Sequence, residues 1–180
     1  DYLSNGRVDF GVGIGWLKEE FENLDMDFST RAVRTEEYIL AMRALWSDGV
    51  SEFSGQTVSL QPCHFNPKPV QKPFPPIYFG GESDAAMRRV ARLGDGWYGY
   101  DLSPEQLQEK LVSLDAALAG TGRSRSDIDL VVGPNRHPVT VDTVAAYAAA
   151  GVDQLVVPVF AGSLDKLAAR VDALMALASD

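Results

Sequence analysis

Apolar, strand-like runs alternate with helix-like segments along the whole chain, and this alternation limits the fold more than any other feature. The strand candidates occupy residues 8–14, 77–79, 97–100, 128–133 and 154–160. Strands that alternate with helices in this way form parallel βαβ units, and strands that are apolar on both faces need helices to cover them. The order predicts an α/β fold. It is compatible with an open doubly wound sheet and with part of a (β/α)8 barrel, which has eight such units where this chain offers five.

The helices are recognised by their first residues and by their apolar stripes. Thr35 begins the first clear helix, which runs to Trp46, and Ser103 opens another with a capping box followed by proline. Two more predicted caps are Thr140 and Ser163. The buried stripe of the helix after Ser103 is predicted to be Leu107, Leu111, Leu114 and Leu118, and that of the last helix Leu164, Leu167, Val171, Leu174 and Met175.

The stretch from residue 75 to residue 100 is the central βαβ unit. A short apolar strand ends in Gly80-Gly81, Ser83 or Asp84 can cap the helix that follows, and Gly94 stops that helix. A glycine turn that leads into a helix N-terminus collects free backbone N–H groups at the positive end of the helix dipole, where a phosphate can bind. The same residues can also form a plain tight turn, and the local pattern leaves both open.

Residues 51–76 interrupt the βα alternation. Residues 51–60 give a small hairpin signal around Ser54-Gly55-Gln56, and residues 61–76 are rich in proline and therefore extended and irregular. Long connections of this kind often shape binding sites. We predict no domain boundary, and a single domain over 1–180 that carries this insertion.

Charge and cysteine content exclude several classes of function. The net charge of −9 repels nucleic acid and anionic membranes, so neither is an expected partner. With Cys63 as the single cysteine, a reducing, cytoplasmic location is expected. His64 and His137 have no cysteine or carboxylate at metal-ligand spacing, and no metal site is predicted.

A glycine-rich run, Gly11-Val-Gly-Ile-Gly-Trp16, lies at the end of the first strand candidate. It does not match a dinucleotide-binding fingerprint, because its third glycine comes one residue early and no helix signal follows at once. It is consistent with a strand end that passes close to something flat or bulky, or with a barrel strand eased by glycine. Trp16 and Trp97 both sit at predicted strand ends, where a rim position and a core position are the two alternatives.

Taken together, several motifs resemble the luciferase-like monooxygenase superfamily, and within it the branch that depends on the deazaflavin coenzyme F-420. The motifs are Gly11-Val-Gly-Ile-Gly-Trp-Leu-Lys-Glu-Glu-Phe-Glu, Arg34-Thr-Glu-Glu-Tyr, Pro67-Lys-Pro-Val-Gln-Lys-Pro, Pro75-Pro-Ile-Tyr-Phe-Gly-Gly and Ala91-Arg-Leu-Gly-Asp-Gly-Trp. The resemblance covers most of residues 1–100, and the βα order extends it to the end.

The resemblance implies a (β/α)8 barrel with a flavin or deazaflavin across the carboxyl ends of its strands. Gly13, Ile14 and Gly15 would end the family's fourth strand and border the coenzyme, while Gly80, Gly81 and Ser83 would hold its phosphate. The hairpin and the proline-rich arm would be the family's insertion after strand four. The first three strands of the barrel, which carry the acid–base residues in the family, have no counterpart here, so no catalytic residue is assigned.

The predicted function is that of an oxidoreductase that uses coenzyme F-420 for hydride transfer to or from a small-molecule substrate. An FMN-dependent monooxygenase is the alternative of the same class, and a non-catalytic phosphate-ligand-binding or assembly module is the alternative of a different class. Open strand edges at 8–14 and 154–160 would leave backbone groups unpaired, which predicts a homo-oligomer.

Overall fold

The computed structural model describes residues 1–177 and divides the chain into two compact units, the first ending at Ile77 and the second beginning at Tyr78. The elements of the first unit are β1 (Phe10–Val12), α1 (Lys18–Asn23), α2 (Arg31–Trp46), β2 (Ser51–Ser54) and β3 (Ser59–Cys63). No helix within residues 1–177 combines the length and apolar character needed to cross a bilayer.

Two boundaries in the first unit differ from the prediction. The strand predicted over 8–14 is shortened to β1, and Gly15, just beyond the predicted strand, takes a φ of +81° that extended backbone does not adopt. The α2 helix starts upstream of the predicted cap. A short 3-10 turn, in which Asp27 accepts a hydrogen bond from the Ser29 amide at 2.8 Å, leads directly into Arg31, so Thr35 is an interior residue.

The predicted hairpin is confirmed as β2 and β3, which pair antiparallel with Phe53 opposite Leu60. Its turn is bound by a side chain from α2. The Glu37 carboxylate, only 8% exposed, accepts hydrogen bonds from the backbone of Gln56, Thr57 and Val58 at 2.6 to 2.9 Å.

The second unit contains the βα repeats, and β4, β5, β6 and β7 form a parallel sheet in chain order. Apart from the first residue of β4, which ends the first unit, its elements are β4 (Ile77–Gly80), α3 (Asp84–Leu93), β5 (Gly96–Tyr100), α4 (Pro104–Leu118), β6 (Asp129–Gly133), α5 (Val141–Ala149), β7 (Gln154–Leu155) and α6 (Leu164–Leu177). The α/β prediction with a parallel sheet and intervening helices is therefore confirmed.

The core of this unit follows the alternation of the strands. Side chains that point to one face of the sheet are almost completely buried: Phe79, Trp97, Leu130 and Val132. The helices add the buried side chains Met87, Val90, Leu107, Leu111, Leu114 and Leu118, which confirms the predicted stripe of α4. Residues of the opposite sheet face are more accessible; Tyr78 and Tyr98 are half-buried and Tyr100 is 62% exposed.

The last βα unit is less regular than its sequence predicts. The strand expected over 154–160 is reduced to Gln154–Leu155, and Pro158, which has no N–H to donate to a ladder, interrupts the remainder. Ser163 begins α6 as predicted, with its carbonyl accepting from the Leu167 amide at 3.0 Å. None of the residues of α6, Leu164–Leu177, is buried, so the predicted stripe is not covered. Its members Val171, Leu174 and Met175 line an open groove of about 310 Å³.

The capping box at Ser103 provides a first testable prediction. The Ser103 hydroxyl accepts from the Gln106 amide, and the Gln106 side chain accepts from the Ser103 amide at 2.9 Å. Ser103→Ala is expected to destabilise the protein by about 1 kcal/mol, because one helix N–H loses its partner. Urea unfolding measures this loss. Ser113→Ala in the middle of the same helix is the control, and an equal effect of both substitutions would contradict the role of the cap.

Candidate functional site

The turn between β4 and α3 has a backbone conformation that requires glycine. Gly81 has a φ of +104°, and a Cβ at this position would lie 3.2 Å from the Ala86 Cβ. At Gly80, in contrast, an added Cβ would meet no atom within 4 Å. The turn therefore combines a left-handed residue with open space beside it, as a close ligand approach requires.

The start of α3 offers hydrogen-bond donors next to this open space. Ser83 is the N-cap, and its hydroxyl accepts from the Ala86 amide at 3.2 Å, as predicted from the sequence. The amides of Glu82, Ser83 and Asp84 have no hydrogen-bond acceptor among residues 1–177. Free amides at the N-terminus of a ten-residue helix suit an anion such as a phosphate.

Two bonds from β5 hold the turn in place. The Trp97 indole N–H donates to the Gly81 carbonyl oxygen at 2.9 Å, and the Tyr100 amide donates to the Glu82 carboxylate at 3.0 Å. The half-buried Glu82 side chain is thus bound to the end of β5. The acidic residue Asp84 lies in the first turn of α3, where its negative charge interacts favourably with the helix dipole. A bound anion must therefore rely on hydrogen bonds from the amides.

The other predicted cofactor residues, Gly13, Ile14 and Gly15, lie in the first unit, beyond the end of β1. Gly15 passes close to an aromatic ring, since a Cβ there would come within 2.7 Å of the Phe21 ring. An aromatic side chain of the chain itself, Phe21, thus lies beside Gly15. A Cβ at Gly13 would meet nothing within 4 Å, which leaves that backbone accessible.

The structure separates the two tryptophans that the sequence could not distinguish. Trp97 is completely buried and belongs to the core of the second unit, where its N–H also holds the turn after β4. Trp16 is 82% exposed and has no core role within the described residues.

The sequence did not predict a charged cluster where β5 and β6 end. Asp101, whose side chain is 7% exposed, accepts from the Arg136 amide at 3.0 Å and from its guanidinium, and this arginine holds the pKa of Asp101 below its ordinary value. The His137 ring lies 3.2 Å from the Asp101 carbonyl oxygen. His137 also lines a cavity of about 430 Å³ with Glu105 and Asp142. No pattern in the sequence indicates this cluster, because its members are far apart along the chain.

Within the part of the chain that the structure describes, residues 1–177, no group of three or more His, Cys, Asp or Glu side chains is placed to hold a metal ion.

Comparison with known proteins identifies the family. The family model described as luciferase-like monooxygenase matches residues 1–174. The chain belongs to this family. Uncharacterized protein Rv0953c of Mycobacterium tuberculosis is 31% identical over 176 residues, which are 98% of this chain and 61% of that protein. The chain thus spans about three fifths of the length of this curated relative.

Two further relatives differ in the cofactor that their names state. An FMNH2-dependent dimethylsulfone monooxygenase from Pseudomonas putida is 28% identical over 146 residues, 79% of this chain and 39% of that protein. A solved structure of an F-420-dependent secondary alcohol dehydrogenase with an F-420–acetone adduct is similar with a TM-score of 0.63, at 16% identity, covering 96% of this chain and 62% of that one. At that identity the likeness shows the fold, an α/β fold of the barrel type found in the family.

Proposed function

We propose that this family member is an oxidoreductase that binds coenzyme F-420 and acts on a small-molecule substrate. The single observation that carries the proposal is the turn after β4: a glycine at φ +104° followed by free amides at the N-terminus of α3. These groups fit the phosphate of the coenzyme, because they donate hydrogen bonds without a bulky side chain in the way.

Each residue of this turn has a defined task in the proposal. The free amides of Glu82 and Ser83 would donate to the phosphate oxygens, and Gly81 would leave room for them. Gly13, Ile14 and Gly15 would border the ring system, as the family resemblance implies. The bound coenzyme would supply hydride transfer, and the protein would hold and orient it. Homo-oligomer formation and a cytoplasmic location stay predictions from the sequence.

FMN is the second candidate cofactor, since the Pseudomonas putida relative carries FMNH2 in its name. FMN also has a phosphate, so the turn fits either molecule. The sequence motifs favour F-420, and the F-420-dependent alcohol dehydrogenase is a structural neighbour over 96% of this chain.

Separate titrations with each cofactor distinguish the candidates. F-420, reduced FMN and oxidised FMN are each titrated into the protein, and binding is followed by cofactor fluorescence or absorbance. The proposal expects F-420 to bind at least about tenfold more tightly than either form of FMN. Tighter binding of FMN would make the chain an FMN protein. Binding of F-420 without hydride transfer, either from a secondary alcohol to the oxidised coenzyme or from the reduced coenzyme to another small substrate, would favour the non-catalytic alternative.

A further inference from the structure

The buried indole of Trp97 has one polar atom, its N–H nitrogen, and that atom forms a hydrogen bond with the turn between β4 and α3. Trp97 lies on β5 with no exposed surface, and its N–H donates to the Gly81 carbonyl oxygen at 2.9 Å. A buried indole N–H requires an acceptor, so this bond is maintained by the core as well as by the turn. The orientation of the Gly81 carbonyl is therefore set by a residue that does not belong to the turn.

The direction of this carbonyl determines the direction of a free donor. Gly81 and Glu82 share a trans peptide, since the cis peptides lie only before Pro67 and Pro73 among residues 1–177. In a trans peptide the C=O and the N–H point in opposite directions. With the Gly81 carbonyl directed at the buried Trp97, the Glu82 N–H is directed away from the core.

A glycine with positive φ makes this control necessary. Glycine populates several backbone regions at similar energy, so the peptide after Gly81 could rotate and present its carbonyl oxygen to the open side of the turn. An oxygen there would repel an anion, whereas the N–H would bind it. The Tyr100 amide, also on β5, binds the side-chain carboxylate of the next residue, Glu82, at 3.0 Å.

We propose that Trp97 is a positioning residue for anion binding: its N–H fixes the Gly81–Glu82 peptide so that the Glu82 N–H faces the phosphate. This inference rests on the proposed function and adds the residue that orients the site. Trp97 would not touch the coenzyme, since its polar atom bonds to the turn and its ring is in the core.

The test removes the N–H and keeps an aromatic side chain. Trp97→Phe is titrated with three probes: F-420, inorganic phosphate, and the phosphate-free deazaflavin that forms the ring part of the coenzyme. The expected result is an affinity about tenfold lower for F-420 and for phosphate, with unchanged affinity for the phosphate-free deazaflavin. If Trp97 had a merely structural role, its substitution would weaken the binding of all three probes alike, and that outcome would overturn the proposal.

Two further proteins serve as controls. Trp46→Phe makes the same chemical change in α2, outside the proposed site, and is expected to bind all probes as the wild type does. If Trp97→Phe does not fold, replacement of Trp97 by benzothienylalanine keeps the bicyclic volume and still lacks the N–H.

The phosphate probe separates this inference from the proposed function. If the wild type binds phosphate but no F-420, the proposed function fails, and a loss of phosphate binding in the variant still supports Trp97 as the positioning residue. Equal phosphate affinity in wild type and variant overturns the inference, whatever F-420 does. A wild type that binds neither probe overturns both.

Discussion

Gly81→Asp is expected to weaken F-420 binding at least 30-fold, or about 2 kcal/mol. Two effects act together at this position. The φ of +104° is a region that residues with a Cβ rarely adopt, and the new Cβ would lie 3.2 Å from the Ala86 Cβ. The added carboxylate would also place a negative charge beside a bound phosphate. The fold should suffer less than binding, because Gly81 is half-buried and outside the hydrophobic core.

Fluorescence titration of F-420 measures the effect of Gly81→Asp, and two other variants separate its causes. Gly81→Ala keeps the backbone strain without the charge and is expected to lose less affinity. Gly122→Asp adds the same charge at another glycine with positive φ, +75°, where no atom lies within 4 Å of the new Cβ. It is expected to bind F-420 normally. Equal dissociation constants for wild type and Gly81→Asp would show that the turn binds no phosphate.

Local patterns predicted the turn after β4 and the helix starts because the atoms that decide them are close in sequence. Ser83 and Ser103 cap their helices through bonds to amides three residues ahead. The four leucines of α4 are buried where the helical period places them. The parallel order of β4 to β7 followed from the same local alternation of strand and helix.

The remaining features depend on pairs that are distant in sequence. The bond from Trp97 to the Gly81 carbonyl spans 16 residues, and the contacts of Asp101 with Arg136 span 35. Neither leaves a periodic signal. The apolar stripe of α6 is a different case. Its helical period indicates which face of the helix could be buried, but not which residues would cover that face. The roles of Gly13, Ile14 and Gly15 at the coenzyme stay predictions.

Glu37 illustrates a distant interaction with a large consequence for stability. Its carboxylate accepts from the Thr57 hydroxyl at 2.6 Å and from the amides of Gln56, Thr57 and Val58. The Thr57 hydroxyl and then the amides lower the pKa of Glu37 from 4.5 to about 2, although burial acts in the opposite direction. All these donors stabilise the charged form, so the carboxylate locks the turn between β2 and β3 to α2.

Protonation of Glu37 should therefore weaken the folded state in acid. Because the pKa is lower in the folded than in the unfolded protein, the stabilisation is present above pH 4.5 and is lost as the pH falls towards about 2. Glu37→Gln removes the charge at every pH and leaves an amide N–H₂ facing backbone donors. We expect its melting temperature at pH 7 to lie on the order of 10 °C below that of the wild type.

Thermal unfolding of wild type and Glu37→Gln between pH 7 and pH 2.5 measures this contribution. The difference between their melting temperatures should be largest above pH 5 and should shrink towards pH 2.5, because only the wild type has this charge to lose. Glu52→Gln, at an exposed position of β2, is the control and should follow the wild type throughout. A difference that stays constant over the whole pH range would mean that the turn is held by side-chain shape rather than by the ionised carboxylate of Glu37.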